Sequence, residues 1–181
     1  MLPITVKIPE QWNEETNEFI EESEHVLRLE HSLVSLSKWE AKWHKHYINN
    51  KDLSTEEMLD YIRFMNITQN VSSNIFNFLS TENLKEINEY ITNPMTATTF
   101  SKDSQGGRPS RDIITSEVLY AQMVELGIPF ECEKWHLNRL ITLIRVCAIR
   151  QQPPKKMSKG DIMNRNRALN ASRRQRLHTK G

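Results

Sequence analysis

Few residues in this chain could carry chemistry, and their spacing works against most reactions. His44 and His46 flank Lys45, while His25, His31, His136 and His178 are scattered. A zinc site needs several ligands at helical or knuckle spacing, such as His at i and i+4 beside a glutamate. Two His at i and i+2 do not share a helix face, so these read as surface or capping histidines and no metal is expected. Cys132 stands one helical turn before His136, which on a helix would bring thiol and imidazole together. But Cys132 follows Pro129-Phe130 and is expected just before the helix, packed in the core. No Cys-x-x-Cys pair exists, and Cys132 and Cys147 each read as small apolar residues. No paired carboxylates stand out from the acidic background, so a glycosidase-like arrangement has no support. Gly106-Gly107-Arg108 lacks the Walker spacing and has no strand before it, which leaves a plain solvated loop. The expectation is a protein that is not an enzyme, with no catalytic residue and no cofactor.

Two features suit binding better than catalysis. Trp39, Trp43 and Tyr47 recur at spacing four and are read as one helix face. Core packing is their plainer role, and an exposed partner patch is the alternative, because Trp and Tyr are frequent interface anchors. The second feature is charge. The chain of 181 residues has a net charge of +1, but residues 155–181 carry nine Lys/Arg against one acid, Asp161, a net of +8. The remaining residues, 1–154, carry −7. Such asymmetry suggests a tail with an anionic partner, or one that touches an acidic body. Lys155, Lys156, Arg165, Arg167, Arg173 and Arg174 are its candidate contacts. A basic segment of this kind can neutralise phosphates with salt-sensitive affinity. It contains no aromatic residue for base stacking, so nucleic acid ranks below protein docking or plain solvation.

The elements that must position these residues follow from periodicity. Ile4, Val6 and Ile8 alternate with polar residues between Pro3 and Pro9, a strand pattern. A turn is expected at Glu15-Thr16-Asn17-Glu18, and a further strand at Val26–Leu29. Glutamates crowd this region, which reads as a small, partly solvated ribbon. From Ser35 the pattern is helical. Ser54 and Glu57 form a capping box before a stripe of Met58, Leu59, Ile62 and Met65. A short helix carries Ile75, Phe76 and Leu79. Another starts at Ser80 or Thr81, places Leu84, Ile87, Tyr90 and Ile91 inward, and ends at Asn93-Pro94. Residues 101–111 read as a polar Gly/Pro loop. Asp112 is expected to cap a helix carrying Ile113, Ile114, Val118, Leu119, Met123 and Val124, with Gly127 at its end.

Trp135–Ile149 is apolar nearly all round and is taken as the central helix, buried on most sides. Its Arg139 and Arg145 would then need carboxylate or carbonyl partners. Gln151-Gln152-Pro153-Pro154 breaks the chain. Ser158 and Asp161 then start a helix through about Leu177, with a sparse apolar stripe of Ile162, Leu169 and Leu177. The expected fold is mainly α: a helical body (33–150) around a buried helix from the C-terminal half, a small N-terminal β-ribbon (1–32) and a hinged basic helical tail (151–181). The start of the chain does not read as a signal peptide, and no stretch reaches the roughly 18 apolar residues of a membrane span. A reducing cytoplasm is the expected setting, with no membrane partner.

Several strings read together resemble a known family. They are His31-Ser-Leu-Val-Ser-Leu-Ser-Lys-Trp-Glu-Ala-Lys-Trp-His-Lys45, Pro94-Met-Thr-Ala-Thr-Thr-Phe100, Arg111-Asp-Ile-Ile-Thr-Ser-Glu117, Ile128-Pro-Phe-Glu-Cys-Glu-Lys-Trp-His-Leu-Asn-Arg-Leu140 and Pro154-Lys-Lys-Met-Ser-Lys-Gly-Asp-Ile-Met-Asn-Arg-Asn-Arg-Ala-Leu-Asn-Ala-Ser-Arg-Arg174. The set resembles tailed-bacteriophage proteins encoded near the tail genes and described as tail assembly chaperones, over nearly the whole chain. The resemblance implies a non-catalytic role. Such a protein coats the long tape-measure protein, keeps it soluble and hands it to the polymerising tail tube, so the major tail protein is a further candidate partner and a homo-oligomer is possible. It would act in the host bacterial cytoplasm and be left out of the mature virion. The alternatives are a nucleic-acid-associated phage protein using the basic tail, or a minor virion structural component.

Overall fold

The computed structural model describes residues 1–13, 18–100, 113–151 and 158–178. The chain divides into two compact units, Met1–Ile149 and Arg150–Gly181.

The first unit opens with a β-hairpin. Strand β1 (Leu2–Ile8) pairs antiparallel with β4 (Ser23–Leu29), in a register that runs from Leu2 opposite Leu29 to Ile8 opposite Ser23. Between them β2 (Gln11–Asn13) and β3 (Glu18–Ile20) form a smaller antiparallel ribbon. Of the turn expected at residues 15–18, Glu18 opens β3 and the other three lie outside the described residues. The alternation is physical: Ile4, Val6, Leu27 and Leu29 are buried on one face, while Thr5 and Val26 stand opposite each other on the exposed face. Residues 65–67 cover the end of β4: the Glu30 amide donates to the Met65 carbonyl (2.8 Å) and the Ile67 amide to the Arg28 carbonyl (2.9 Å). That satisfies backbone groups which an open edge would leave to another chain.

Helix α1 (Leu33–Trp43) begins at a capping box made by Ser32 and Ser35. It ends sooner than the spacing of four predicts. His44 adopts the left-handed conformation (φ 53°) and its amide closes on the Glu40 carbonyl, so Tyr47 lies beyond the helix. Helix α2 (Thr55–Met65) starts at the Ser54–Glu57 capping box as expected. A 3-10 helix (Ser73–Phe78) with buried Ile75 and Phe76 follows. Helix α3 (Thr81–Thr92) starts at a Ser80–Asn83 capping box and stops at Asn93.

The polar loop of residues 101–111, and Asp112 with it, lies outside the described residues. Helix α4 (Ser116–Glu125) starts after Thr115 rather than at Asp112. Ile113 and Ile114 precede it and are exposed, as is Val124, while Leu119 and Met123 are buried. Gly127 takes φ +66° just past its end, where a left-handed residue closes a helix at least cost. A second 3-10 helix (Phe130–Lys134) leads to helix α5 (Leu137–Gln151).

The fold is mainly helical with a small N-terminal antiparallel sheet, as the patterning predicted. The role of α5 is different in degree. Only Leu137, Leu140 and Ile144 are fully buried, and its other apolar residues are half-buried. The innermost large side chains are instead Trp39, Tyr61, Met65, Met123 and the β1–β4 aliphatics. Because α5 is not enclosed, its arginines need no buried carboxylate. Arg139 stacks on the Trp135 ring at 4.3 Å and Arg145 on the Phe100 ring at 3.9 Å. In the second unit, helix α6 (Lys159–Leu177) starts at Ser158, whose hydroxyl accepts from the Asp161 amide, and none of its residues is buried.

Candidate functional site

Trp39, Trp43 and Tyr47 part company in three dimensions. Trp39 is fully buried and its indole donates to the Glu57 carbonyl (2.8 Å). It is a core residue and offers no partner patch. Tyr47 folds back after the left-handed turn at His44, stacks on Tyr61 at 3.8 Å between ring centroids, and meets the Trp39 ring edge-on at 5.1 Å. Burial pushes the Tyr47 phenol up to about 12. Trp43 is half-buried and donates its indole hydrogen to Asp60 Oδ2 at 3.2 Å.

Tyr47 also lines an apolar concavity of the first unit. A groove of about 280 Å³ runs between α2 and α3, floored by Ile62 and Ile87 and flanked by Leu59, Ile91, Met58 and Leu84. Met58, part of the expected apolar stripe, is 46% exposed, and Leu84, expected inside, is 40% exposed. The inner side of α2 is given to Glu57, Asp60, Tyr61, Ile62 and Met65, which rotates the helix away from its simplest apolar reading.

Glu57 and Asp60 are buried carboxylates that the sequence pattern did not reveal. Lys45 donates to Glu57 Oε1 (2.5 Å) and the Ser54 amide to Glu57 Oε2 (2.7 Å). Lys45 and the Ser54 amide hold the Glu57 carboxyl below its usual range. Asp60 accepts from Lys42, from Trp43 and from Arg63 Nη1 (2.9 Å). Burial alone would raise its pKa, but the bonds from Lys42 and Arg63 outweigh it and the net shift is downward. Both carboxylates are satisfied as anions, so neither is poised as a general acid. The readable signal was the basic run Lys42, His44, Lys45 at the end of α1, the element just before α2.

A third cluster joins β4, α3 and the start of α5. The Tyr61 hydroxyl and His31 Nδ1 lie 2.6 Å apart, and the rings of His31 and His136 are 5.0 Å apart. His136 Nε2 faces the Tyr90 carbonyl at 3.0 Å, and the Tyr90 hydroxyl donates to Glu30 Oε1 at 2.6 Å. Burial, then the neighbouring His136, lowers His31 to about 3. Burial also lowers His136. Cys132 is buried within the second 3-10 helix, and α5 begins only after His136. Thiol and imidazole therefore do not share a helix, which favours the core reading of Cys132. Among the described residues no group of three or more His, Cys, Asp or Glu could hold a metal ion. No helix among them is long and apolar enough to cross a membrane.

Of the basic contacts, Arg165, Arg167, Arg173 and Arg174 lie on α6, whereas Lys155 and Lys156 fall outside the described residues. The tail helix is not amphipathic in the expected sense. At about 100° per residue, its Lys and Arg residues share an arc of about 200° with Ile162, Met163, Leu169 and Leu177. Gly160, Asp161, Asn164, Ala168, Ala171, Ser172 and Gln175 fill the remainder. Apolar and basic side chains interleave on one face, and the opposite face is small and polar, with Asp161 its one charged residue.

These features define a class: a mainly helical protein with structural ion pairs in its core, an open apolar groove and a basic helix. Against protein-family models, curated proteins and solved structures the chain finds no match.

Proposed function

We propose that this protein is a non-catalytic tail assembly chaperone of a tailed bacteriophage, binding helical segments of the tape-measure protein during tail morphogenesis. The observation that carries the reading furthest is the α2–α3 groove. Its walls are apolar, its rim residues Met58 and Leu84 stand exposed, and Met adapts its shape to varied partners. An open apolar groove between two helices suits an incoming amphipathic helix. The family resemblance supplies the partner's identity. The Glu57 and Asp60 carboxylates are tied up by Lys42, Lys45 and Arg63, so they brace the α2 side of the groove. On this reading the protein works in the host cytoplasm, meets the major tail protein during handover, and stays out of the finished virion.

Co-expression with tape-measure fragments tests the proposal. The fragment is expected to stay soluble and co-purify with the wild-type chain. Met58→Glu/Leu84→Glu, on exposed positions, should lower capture by at least about tenfold, the effect of about 1.4 kcal/mol, while the circular dichroism spectrum is unchanged. Equal capture by the variant would sink the groove as the site.

A second reading rests on α6. Six Lys/Arg on one arc of the helix suit a phosphate backbone. It requires retention on DNA or RNA that weakens steeply with salt.

A further inference from the structure

The chain's charge is concentrated in two segments of the sequence. Seven glutamates lie between residues 10 and 24 with no Lys or Arg among them. The rest of residues 1–154 holds fifteen acidic and fifteen basic residues and is neutral. The whole acidic excess of the body, −7, therefore sits on the hairpin segment, against +8 in residues 155–181. Among its described side chains, Glu10, Glu21 and Glu22 are exposed, and Phe19 is 58% exposed.

Helix α6 is the matching surface. Its cations and its apolar residues share one face, with Ile162, Met163, Leu169 and Leu177 each 45–64% exposed. A lone helix of 19 residues with so little apolar content gains little from its own packing, because helical stability in proteins comes mostly from tertiary contact. An acidic strand pair bearing an exposed aromatic offers it both kinds of contact, since Phe19 can pack on Leu169 or under a guanidinium.

We propose that α6 of one copy docks on the acidic N-terminal segment of a second copy, at Glu10, Phe19, Glu21 and Glu22, so that the chain self-associates through its two oppositely charged segments. Mutual exchange of the two elements closes a twofold dimer, and one-way exchange makes a chain of copies. The proposal does not depend on the tape-measure reading. It requires only that the two segments recognise each other between molecules.

Charge reversal and mixing test it with the full-length protein. In analytical ultracentrifugation the wild type is expected to associate as its concentration rises at about 0.1 M salt. It should disperse at about 1 M, where the screening length falls from about 10 Å to about 3 Å. Glu10→Lys/Glu21→Lys/Glu22→Lys takes residues 10–24 from −7 to −1, and Arg167→Glu/Arg173→Glu/Arg174→Glu takes residues 155–181 from +8 to +2. Each variant should be monomeric alone, and an equimolar mixture should associate again. Acidic residues near a helix C-terminus weaken the helix, so Arg167→Gln/Arg173→Gln/Arg174→Gln serves as a second test. It should retain wild-type helicity and lose at least about tenfold in association constant. A wild type that stays monomeric at every concentration overturns the proposal, as does a mixture that fails to associate. Nucleic-acid retention by a monomeric wild type, unaffected by the glutamate reversals, overturns it in favour of a nucleic-acid partner.

Discussion

At the residue scale, His31 is the side chain whose chemistry most affects stability. It is 3% exposed, with Tyr61 and His136 packed against it. Folding excludes a proton here: the imidazole is lowered to about 3, chiefly by burial, while in the unfolded chain it titrates near 6.5. Below pH 6.5 the unfolded state takes up a proton that the folded state refuses, so the stability present above 6.5 is lost as pH falls. At pH 5 the loss from this one group is about 2 kcal/mol. The buried His136 is shifted the same way and adds to it. Glu57 and Asp60, held below their ordinary range, lose their contribution only at more acidic pH. Urea unfolding at pH 7 and pH 5 should therefore show a marked fall for the wild type. His31→Phe removes the titration, and its stability should depend less on pH over the same range, although losing the Tyr61 contact lowers it at pH 7. An unchanged pH slope in the variant would show that the imidazole is not the cause.

At the element scale, what the sequence could reveal depended on whether the cause was local. The hairpin strands, the Ser54–Glu57 box, the stop at Asn93-Pro94, the left-handed Gly127 and the start of α6 at Ser158 all follow from neighbours within one turn, and all are present. The misreadings share another cause. The end of α1 depends on His44 taking a conformation usually left to glycine, and no residue type announces it. Met58 belongs to an apolar stripe, but α2 turns its Glu57 and Asp60 flank inward, where the half-exposed Lys42 and Lys45 reach over to pair them. Glu40 shows the same effect across a distance. It looks like a solvated charge on α1, yet it is buried, and its carboxylate accepts from the Ser116 amide (2.7 Å) and the Tyr47 amide (3.3 Å). Thr115 makes no side-chain cap, so Glu40 supplies the anion at the start of α4 from another element. Glu40→Ala should leave the buried Ser116 amide unpaired, at about 1–3 kcal/mol, with a smaller loss at the part-buried Tyr47 amide, and lower the denaturation midpoint accordingly. Glu117→Ala, removing an exposed acid from the same helix end, should cost under about 1 kcal/mol. Equal effects of the two would refute this cross-element cap.

At the scale of the whole molecule, the two units differ in what holds them. The first joins β1, β4, α1, α2 and α5 through one apolar core in which Ile4, Leu27, Leu36, Trp39 and Leu140 are essentially inaccessible. The second has no buried residue on α6, and its stability rests on the Ser158 cap and on Arg174 and Arg176 in the last turn. Amide exchange reports this contrast, because protection spans from near zero for frayed elements to the global stability for core ones. In dilute protein at about 1 M salt, α6 amides should exchange within about tenfold of unprotected rates, whereas those of β1, β4 and α1 should exchange only through global unfolding. Raising protein concentration at about 0.1 M salt should then slow exchange in two places together, α6 and residues 18–24, if the two segments meet between molecules. Protection that rises in α6 alone points to a partner other than the acidic hairpin. Protection that is already high in α6 at the lowest concentration would mean that the helix is held without a second copy.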